Sequence, residues 1–393
     1  MIRSRILFVD DEVAVLQGLR DFLRKERHRW EVVFVASGQQ ALDELVKAPF
    51  DLVITDMRMP GMDGADLLAK VKELYPAAAR MVLSGQADRE AVLRAMPLAQ
   101  QFLAKPCEAP EVQAVIERTF GLKALLANEH IRAIVGRLES LPSVPKTYMD
   151  LTAAAAQQTS TIGDLADIVE RDPATSAKVL QLVNSAYFGG QQRASSIRGA
   201  VSYLGVDLVK GLALASSTFS TAEHLSVEGF SLEELRSSSL SVGQVARRLV
   251  GSPKLRDEAF TTGLIQDVGK IVMAVGLPAE YSRVAAEAAR SERPTHLVEQ
   301  EIFGVSHAEV GAYLLGLWGL PFSIVEAVAY HHRPGAVPEG DCELLAVVHA
   351  ADALVDPREG NLDKAFLSLK GFDSRLPRWQ AIAAEEAAGR VAT

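Results

Sequence analysis

The sequence predicts an N-terminal α/β domain, built as a doubly wound, five-stranded parallel sheet, followed by an all-helical domain. Three observations support this fold class. Over residues 1–120, short apolar runs alternate with helical patterns, as is typical of a parallel sheet covered by helices. Beyond residue 141, Ala-, Leu- and Val-rich helical patterns replace strand alternation. The 393 residues also exceed the length that one compact core requires.

Five apolar runs define the predicted strands of the first domain, and a helical pattern follows each of them. Parallel strands are covered by helices on both faces, so their sequences are apolar throughout rather than alternating. The first helix is predicted from about Val13 to Lys25. In chain order, the strands are RILFV (5–9), WEVVFV (30–35), DLVIT (51–55), RMVLS (80–84) and QFLA (101–104).

A helical segment is predicted to link the two domains. Its apolar stripes, with Val112 and Ile116 on one and Ile131 and Ile134 on the other, differ in phase, so we expect either a broken helix or a linker helix with a kink. We expect these stripes to pack on their own domain, the alternative being pairing with a second copy. The predicted organisation is a first domain at 1–120, a linker helix at 121–140, a helical domain at 141–356, and an extension at 357–393 that is polar and then helical.

The composition argues against several classes of protein. With 41 basic and 50 acidic residues, the net charge is −9, so we expect no nucleic-acid partner. No apolar run approaches the roughly 18 residues of a membrane span, and the first residues lead directly into a strand pattern. Cys107 and Cys342 are far apart, which favours reduced thiols over a disulfide. We therefore expect a cytoplasmic protein that does not bind membranes.

Polar residues end four of the five predicted strands. Asp10 and Asp11 follow the first strand, Asp56 the third, and Lys105 the fifth, while Ser84 ends the fourth. The carboxyl ends of parallel strands meet at one edge of a sheet, so these side chains are expected to converge. Clustered carboxylates repel one another unless a cation lies among them, and oxygen-only ligands suit Mg²⁺. A carboxylate beside such a metal can attack a phosphoryl group and form an aspartyl phosphate.

Residues 1–120 resemble the flavodoxin-like receiver domain of two-component response regulators, with the motifs VDDE, DLVITDMRMPGMDG and LAKP in the family's order. The resemblance implies that Asp10 and Asp11 hold Mg²⁺ and that Asp56 accepts a phosphoryl group from a sensor histidine kinase. It also implies that the backbone carbonyl of Arg58 completes the metal coordination. A receiver that is never phosphorylated is the alternative, but it would be expected to lack the acceptor or Lys105.

The same resemblance assigns the residues that would transmit phosphorylation. Ser84 would be the hydroxyl that moves toward the phosphoryl group, and Phe102 the aromatic side chain that then rotates. Phe102 could instead be a core residue, as aromatic side chains on strands often are. Lys105 would pair with the phosphoryl oxygens, and Pro106 after it is expected to follow a cis peptide bond. The surface around the fourth helix, fifth strand and fifth helix would then rearrange.

The second half of the chain resembles the HDOD family, a relative of the HD superfamily of metal-dependent phosphohydrolases. The segments that carry the resemblance are RLESLPSVPKTYMDL, DLADIVERDPATSAKVLQLVNSAYFGG, SIRGAVSYLGVDLVKGLAL, GLIQDVGK, EQEIFGVSHAEVGAYLLGLWGLP and AVAYHHRP. An active HD enzyme needs several imidazoles and a His-Asp pair around one or two metal ions. The residues at the family's ligand positions are Asp267, His307, His331, His332 and Asp352.

Two of the expected histidines are missing from this pattern. Gln266 replaces the histidine of the His-Asp pair, and Ser238 stands about where an upstream histidine would lie. Amides and hydroxyls are poorer donors to transition metals than imidazole is. We therefore expect no transition metal and no enzymatic activity in this domain, and we expect its histidines to pack or hydrogen bond in the core. A weak residual metal site is the alternative.

One motif in the helical half suggests a phosphate-binding loop but does not meet its requirements. In GLIQDVGK, five residues separate Gly263 from Gly269 where four are required, and Ile271 rather than Ser or Thr follows Lys270. The segment RPGAVPEGD after His332 also lacks the Gly-Tyr-Pro signature of cyclic-di-GMP phosphodiesterases. We assign no nucleotide role to the first motif and do not expect the second activity.

The function expected from the sequence is signalling without catalysis. Phosphorylation of Asp56 would change how the helical domain packs or dimerises, and the output would be an unidentified protein or a signalling nucleotide. The alternative is an HD-type phosphohydrolase, with a cyclic dinucleotide as one conceivable substrate, whose metal lies on the retained histidines and aspartates and whose activity the receiver regulates.

Overall fold

The computed structural model describes most of the chain, which forms two compact units. One consists mainly of residues 1–139 and the other mainly of residues 140–393. The described residues are 3–85, 95, 98–105, 109–125, 128–137, 142–143, 154, 161–184, 194–204, 220–221, 227–337 and 342–391. No helix among them is long and apolar enough to cross a membrane.

The first unit contains a parallel sheet of five strands in the order β2-β1-β3-β4-β5. The strands are β1 (Ser4–Val9), β2 (Trp30–Val35), β3 (Leu52–Asp56), β4 (Ala79–Gly85) and β5 (Gln101–Lys105). The helices are α1 (Val13–Leu23), α2 (Gly38–Lys47), α3 (Gly64–Leu74), α4 (Ala109–Leu125) and α5 (Glu129–Arg137). The predicted parallel α/β class is confirmed. The helix predicted between β4 and β5 lies largely outside the described residues.

The strand order explains how the acidic residues come together. β1 lies between β2 and β3, and the chain reverses its direction of winding there. Such a switch point opens a crevice beyond the carboxyl ends of the two neighbouring strands. β3 is buried along its whole length, and its first three residues are apolar. Asp56 is the last residue of β3 and therefore lies at this edge of the sheet.

The linker predicted at 121–140 packs against its own unit as two helices. The apolar residues Val112 and Ile116 of α4 and Ile131 and Val135 of α5 are buried. α4 runs through Gly121 to Leu125, and α5 begins after Asn128. The Asn128 side chain accepts hydrogen bonds from the backbone N–H groups of residues 130 and 131, so it acts as the N-cap of α5. The change of phase seen in the sequence therefore corresponds to a second helix with its own cap.

A buried arginine holds the end of α5 to the sheet. Arg80, in β4, is 2% exposed, and its guanidinium donates hydrogen bonds to the backbone carbonyls of Ala78, Leu98 and Gly136. Gly136 lies in the last turn of α5, where helix carbonyls have no partner within the helix. A Cβ atom at Gly136 would lie 1.7 Å from the Pro76 carbonyl oxygen. The helix and the loop before β4 therefore touch backbone to backbone.

The substitution Gly136→Ala is expected to loosen α5. The added methyl group would collide with the Pro76 carbonyl, and overpacking of this kind costs about 1–3 kcal/mol. Hydrogen exchange followed by mass spectrometry should show faster exchange in the α5 peptide. The matched control is Gly121→Ala, an exposed helical position with nothing within 4 Å of the added Cβ, where alanine should be neutral or stabilising. Equal exchange rates in both variants would show that α5 is not held at this contact.

Among its described residues, the second unit is helical apart from one pair of two-residue strands. These are β6 (Pro142–Ser143) and β7 (Ser220–Thr221), which are parallel. This pair was not predicted from the sequence. The helices are α6 (Ile162–Val169), α7 (Pro173–Asn184), α8 (Ile197–Leu204), α9 (Leu232–Leu249), α10 (Arg256–Ile265), α11 (Val268–Gly276), α12 (Pro278–Ser291), α13 (Thr295–Phe303), α14 (His307–Leu317), α15 (Phe322–Tyr330), α16 (Glu343–Val355), α17 (Lys364–Leu369) and α18 (Leu376–Val391).

The C-terminal segment is an integral part of the helical unit. Trp379 of α18 is 1% exposed, and its indole N–H donates to the Leu249 carbonyl at 3.1 Å. α17, within the stretch expected to be polar, buries Phe366 and Leu367 and is capped by the Asp363 side chain. A six-residue helix offers too few turns for its apolar period to stand out in the sequence. The extension therefore contributes to the core, although its first part was expected to be polar.

The glycines of the GLIQDVGK segment are required by close helix packing. A Cβ atom at Gly263 would lie 3.0 Å from the Cα atom of Gly243, and one at Gly269 would lie 2.0 Å from the His307 carbonyl oxygen. The α11–α14 pair consequently approaches at a distance that only glycine permits, and the α9–α10 pair could accept a Cβ atom at Gly263 only by moving apart by a few tenths of an ångström. The phosphate-loop appearance of this segment thus has a packing explanation, and Gly269 positions α11 against the first residue of α14.

Candidate functional site

Three of the predicted receiver residues meet at the carboxyl edge of the sheet. Asp10 directly follows β1, Asp56 ends β3, and Lys105 ends β5. The Lys105 ammonium lies 2.7 Å from Asp10 Oδ2 and also contacts Asp56 Oδ1. The side chain of Asp10 is 1% exposed, that of Asp56 is 10% exposed, and that of Lys105 is 20% exposed. The lysine therefore bridges two largely buried carboxylates.

The second oxygen of each carboxylate is held by a backbone amide. The Glu12 N–H donates to Asp10 Oδ1 at 2.9 Å, and the Arg58 N–H donates to Asp56 Oδ2 at 2.7 Å. Burial raises the pKa of Asp56, although Lys105 opposes that shift. Burial alone would lower the pKa of Lys105, but its hydrogen bonds to Asp10 and Asp56 outweigh burial and raise it. Lys105 therefore stays charged and remains available to pair with added negative charge.

The backbone of Asp56 is packed directly against the start of α3. The Gly64 N–H donates to the Met57 carbonyl at 3.0 Å, and a Cβ atom at Gly64 would lie 2.2 Å from the Asp56 carbonyl oxygen. The Asp63 side chain caps α3 by accepting from the Asp66 N–H. Only glycine therefore lets α3 begin at this distance. The resulting contact fixes the position of the Asp56 backbone.

The remaining receiver residues lie near this pocket along the chain. Asp11 is exposed and directly follows Asp10, and the Arg58 side chain is also exposed. In β4, Ser84 comes one residue after Leu83, the register partner of Asp56, while Phe102 pairs with Val82 in the adjacent strand. The side chains of Ser84 and Phe102, and the whole of Pro106, lie outside the described part of the structure. Their switching and cis-proline roles stay predictions.

The donor set of this pocket fits Mg²⁺. Asp10 and Asp56 place carboxylate oxygens around the same lysine, and Asp11 adds a third carboxylate at the solvent side. No nitrogen or sulfur ligand belongs to the predicted set, and oxygen ligands combined with access for water are what Mg²⁺ prefers. The Arg58 carbonyl remains the predicted backbone ligand.

The helical unit brings together four of the predicted HD-type residues. One ligand atom from each lies within 4.8 Å of the others. Asp267 lies between α10 and α11, His307 begins α14, and His331 and His332 follow α15. His307 and His331 are fully buried, and Asp267 is 5% exposed. We call the set Asp267, His307, His331 and His332 the histidine cluster.

Hydrogen bonds fix the orientation of the imidazoles. His307 Nδ1 donates to Glu299 Oε2 at 2.6 Å, which leaves its Nε2 2.9 Å from Asp267 Oδ1. His331 Nδ1 donates to the Val328 carbonyl at 2.7 Å, which leaves Nε2 without a hydrogen-bond partner and 3.8 Å from Asp267 Oδ1. Metal-binding histidines are commonly held in this way through the second ring nitrogen. The cluster thus has the geometry of a possible metal site.

Burial and the surrounding charges shift the pKa values of this cluster in opposite directions. Burial lowers the pKa of His331 to about 3. For His307, burial also acts to lower the pKa, but Glu299 and Asp267 outweigh it and raise it to about 10. Because each nitrogen lies near a carboxylate, this raised pKa favours the form of His307 that carries a proton on both nitrogens. A metal ion on its Nε2 would have to displace that proton.

Gln266 and Ser238, the two positions at which a histidine was expected, have different surroundings. Gln266 is fully buried, and its amide Nε2 donates to Asp352 Oδ1 at 2.6 Å, while its Oε1 has no hydrogen-bond partner. Burial raises the pKa of Asp352 to about 8. Asp352 Oδ2 also lies 3.6 Å from His332 Nδ1. Ser238 lines a shallow pocket with Asp356 and other residues outside the cluster. Gln266 and Asp352 thus adjoin the cluster, whereas Ser238 faces a different pocket.

Several residues of this region were not identified from the sequence. Glu299 accepts from His307 and from the Tyr281 hydroxyl at 3.0 Å. Lys270, assigned no nucleotide role, places its ammonium 3.3 Å from Asp267 Oδ2 and 3.1 Å from Glu359 Oε1. His296 stacks on His332 with ring centroids 3.9 Å apart. The sequence gives no signal that these residues approach the cluster, because only helix packing brings them there.

Models of two known families match the two halves of the chain. The model of the response regulator receiver domain matches residues 6–117, and the model of the HDOD domain matches residues 141–334. The sporulation initiation phosphotransferase F of Bacillus subtilis is 29% identical over 125 residues, which cover 32% of this chain and 99% of that protein. Its similarity is therefore of the length expected for the receiver alone.

Two further relatives extend beyond the length of a receiver. An uncharacterised protein of Treponema pallidum is 24% identical over 226 residues, which cover 57% of this chain and 44% of that protein. The crystal structure of a virulence factor from Campylobacter jejuni has a TM-score of 0.54 and 19% identity, and covers 66% of this chain and 98% of that one; this likeness concerns the fold alone.

The chain covers only part of several relatives. It spans 44% of the Treponema protein and 31% of YesN, a transcriptional regulatory protein of Bacillus subtilis to which it is 33% identical over 115 residues. The two family matches nevertheless lie in order along this chain and correspond to its two regions of different fold. The chain therefore belongs to the two-component response regulators, with an N-terminal receiver domain and a C-terminal HDOD domain.

Proposed function

We propose that this protein is a phosphorylation-driven switch in which a sensor histidine kinase modifies Asp56 and the HDOD domain responds without catalysis. The observation that carries this proposal is the bridge that Lys105 makes between Asp10 and Asp56. A buried acceptor carboxylate with a fixed backbone, a neighbouring acid and a charged lysine provides what phosphoryl transfer to aspartate needs.

In the proposed reaction, one Asp56 carboxylate oxygen attacks phosphorus as the bond to the kinase imidazole breaks. The imidazole leaves with the bonding electron pair, and the phosphoryl group remains on aspartate as an acyl phosphate. The Arg58 N–H already orients Asp56 through Oδ2. Lys105 is placed to pair with the added phosphoryl oxygens. Bound Mg²⁺, held by Asp10, Asp11, Asp56 and the Arg58 carbonyl, would neutralise charge on those oxygens.

Phosphorylation would act by changing the charge on one edge of the sheet. The predicted response is movement of Ser84 toward the phosphoryl oxygens, followed by rotation of Phe102 into the space released. A phosphoryl group adds about −1.5 to −2 charges, and Lys105 would have to divide its contacts between Asp10 and the new oxygens. That competition would bias the receiver surface between two states.

The HDOD domain is proposed to bind rather than to catalyse. At the position of the expected His-Asp pair, the amide of Gln266 is hydrogen bonded to Asp352, and neither amide atom is a strong ligand for a transition metal. The buried Lys270 ammonium also contacts Asp267 Oδ2, where it neutralises charge that a metal would otherwise balance. The downstream partner is an unidentified protein or signalling nucleotide, or a second copy of this chain.

Capture of binding partners in both phosphorylation states tests this proposal. Tagged chain treated with acetyl phosphate and Mg²⁺ should retain a different protein or self-association state from the untreated chain. A nearly complete switch, from 1:99 to 99:1, requires about 5.5 kcal/mol of differential interaction. Asp56→Asn treated in the same way is the control and should behave as untreated protein. Identical partners and oligomeric states for phosphorylated and unphosphorylated wild type would contradict the switch.

A metal-dependent phosphohydrolase is the second candidate, and the histidine cluster is the observation that favours it. Its test is stoichiometric Mn, Fe or Zn in purified protein, together with hydrolysis of a phosphodiester. Both should be lost in the double variant His331→Ala, His332→Ala. If wild type contains stoichiometric metal and hydrolyses the phosphodiester, and the variant does neither, the proposal of a non-catalytic HDOD domain is wrong.

A further inference from the structure

We propose that His296, His332 and Glu359 form a second cation site at the rim of the histidine cluster, suited to a divalent transition metal such as Co²⁺ or Zn²⁺. His296 and Glu359 do not belong to the ligand set that the HD resemblance supplies. The inference does not depend on phosphorylation of Asp56, and it concerns binding rather than catalysis.

The three side chains already converge. One ligand atom from each lies within 4.8 Å of the others, and the imidazoles of His296 and His332 are stacked with ring planes 13° apart. A metal–nitrogen distance of about 2.0–2.1 Å requires ligand atoms a little closer than this. One imidazole would have to rotate out of the stack to close the set, because parallel rings cannot both direct a nitrogen lone pair at one ion. The Glu359 side chain is 19% exposed and that of His332 is 5% exposed, so an ion would enter from the Glu359 side.

The two nitrogens of His332 face different neighbours. Its Nε2 lies 3.0 Å from His307 Nε2, on the side of the buried cluster. A Cβ atom at Gly360 would lie 3.8 Å from His332 Nδ1 and 4.0 Å from the His296 Cε1 atom. His332 Nδ1 and the His296 ring therefore border the turn that contains Glu359 and Gly360. His332 could thus bind an ion at the rim through Nδ1, which also lies 3.6 Å from Asp352 Oδ2, while its Nε2 faces the buried cluster.

Two polar atoms at the rim are buried without a partner. His296 Nδ1 and Glu359 Oε2 make no hydrogen bond, whereas Glu359 Oε1 accepts from Lys270 and from the Thr295 hydroxyl, each at 3.1 Å. Buried polar atoms are rarely left unpaired, and each such case calls for a water molecule or an ion. An imidazole nitrogen next to a carboxylate oxygen is a donor pair that transition metals favour.

The local charge balance also favours a cation. Asp267 and Glu359 share one buried ammonium, that of Lys270. The imidazole of His307, whose raised pKa favours the charged form, lies 2.9 Å from Asp267 and also faces Glu299, so three carboxylates share two cationic groups and one negative charge is left uncompensated. Because Lys270 contacts Oε1 of Glu359 and Oε2 has no hydrogen-bond partner, an ion bound to Oε2 at the rim would meet that charge without replacing the lysine.

Crystals of the full chain soaked in Co²⁺, with excess Mg²⁺ to fill the oxygen-only receiver pocket, test the site directly. The expected result is an anomalous difference peak within ligand distance of His296, His332 and Glu359. A peak confined to Asp267, His307 and His331, or no peak in this region, would overturn the proposal.

Calorimetric titration with Co²⁺ in excess Mg²⁺ gives an independent measurement in solution. His296→Ala and Glu359→Gln should each weaken binding at least about tenfold, the lower end of what loss of even an outer-shell partner costs. The control is His130→Ala, which removes an exposed imidazole in α5 and should leave the affinity unchanged. His307→Ala should retain the binding. Loss of binding in His307→Ala, with wild-type affinity in His296→Ala, would assign the ion to the buried cluster and reject the rim site.

Discussion

The substitution Asp56→Asn should abolish phosphorylation of the chain by acetyl phosphate and Mg²⁺. An amide is a far weaker nucleophile than a carboxylate, and the variant also loses the charge that holds Lys105 at Asp56 Oδ1. Intact-mass spectrometry should show the mass of one added phosphoryl group on wild type and none above background on the variant. The change in shape is small, so the loss should reflect chemistry rather than unfolding.

Asp66→Asn is the matched control for this experiment. Asp66 is an exposed residue in the first turn of α3, close in sequence to the pocket but outside the Lys105 bridge. This variant should be labelled as wild type is. Equal labelling of wild type and Asp56→Asn would mean that another residue accepts the phosphoryl group.

The second large effect is expected for Gly269→Ala in the HDOD domain. The added Cβ would lie 2.0 Å from the His307 carbonyl oxygen and 2.8 Å from the Gly311 backbone nitrogen. Backbone atoms of packed helices cannot move aside as a flexible side chain can, so the cost should reach or exceed about 3 kcal/mol, the upper end for overpacking. Hydrogen exchange in increasing urea should show that the peptides of α11 and α14 open at lower denaturant concentration.

The control for this glycine lies in the same unit. A Cβ atom at Gly163, an exposed residue near the start of α6, would meet only the Thr161 hydroxyl at an ordinary 3.6 Å. Gly163→Ala should therefore leave the exchange of α11 and α14 unchanged. If Gly269→Ala also left the exchange of α11 and α14 unchanged, the close approach of α11 to α14 would not exist in solution.

The receiver pocket could be predicted in detail because topology alone brings its residues together. Asp10, Asp56 and Lys105 each stand at the carboxyl end of a strand, and parallel pairing places those ends at one edge. The sequence could not show that Lys105 bridges both acids while backbone amides hold their other oxygens. Nor could it show that Gly64 sits against the Asp56 carbonyl, since that depends on the distance between α3 and β3.

The HDOD site was less predictable for a physical reason. Its residues come from helix ends far apart in the chain, and no strand register dictates which of them meet. Resemblance located His307, His331 and His332, but Glu299 and Lys270 have no local pattern that distinguishes them from surface charges. Gly269 resembled part of a phosphate loop because both need a residue without a side chain. A phosphate loop needs it so that a ligand can approach the backbone, and Gly269 is needed so that α14 can approach α11.

The proposed switch depends on Asp56 as the residue that carries the phosphoryl group, and chemical trapping tests this most directly. Acyl phosphates react with borohydride, which reduces the modified aspartate to homoserine, whereas phosphate esters of serine or threonine do not react in this way. Wild-type chain treated with acetyl phosphate and Mg²⁺, then with borohydride, is expected to yield homoserine at position 56 in the peptide mass spectrum. Homoserine at another aspartate, or a phosphoryl group that resists borohydride, would contradict the account.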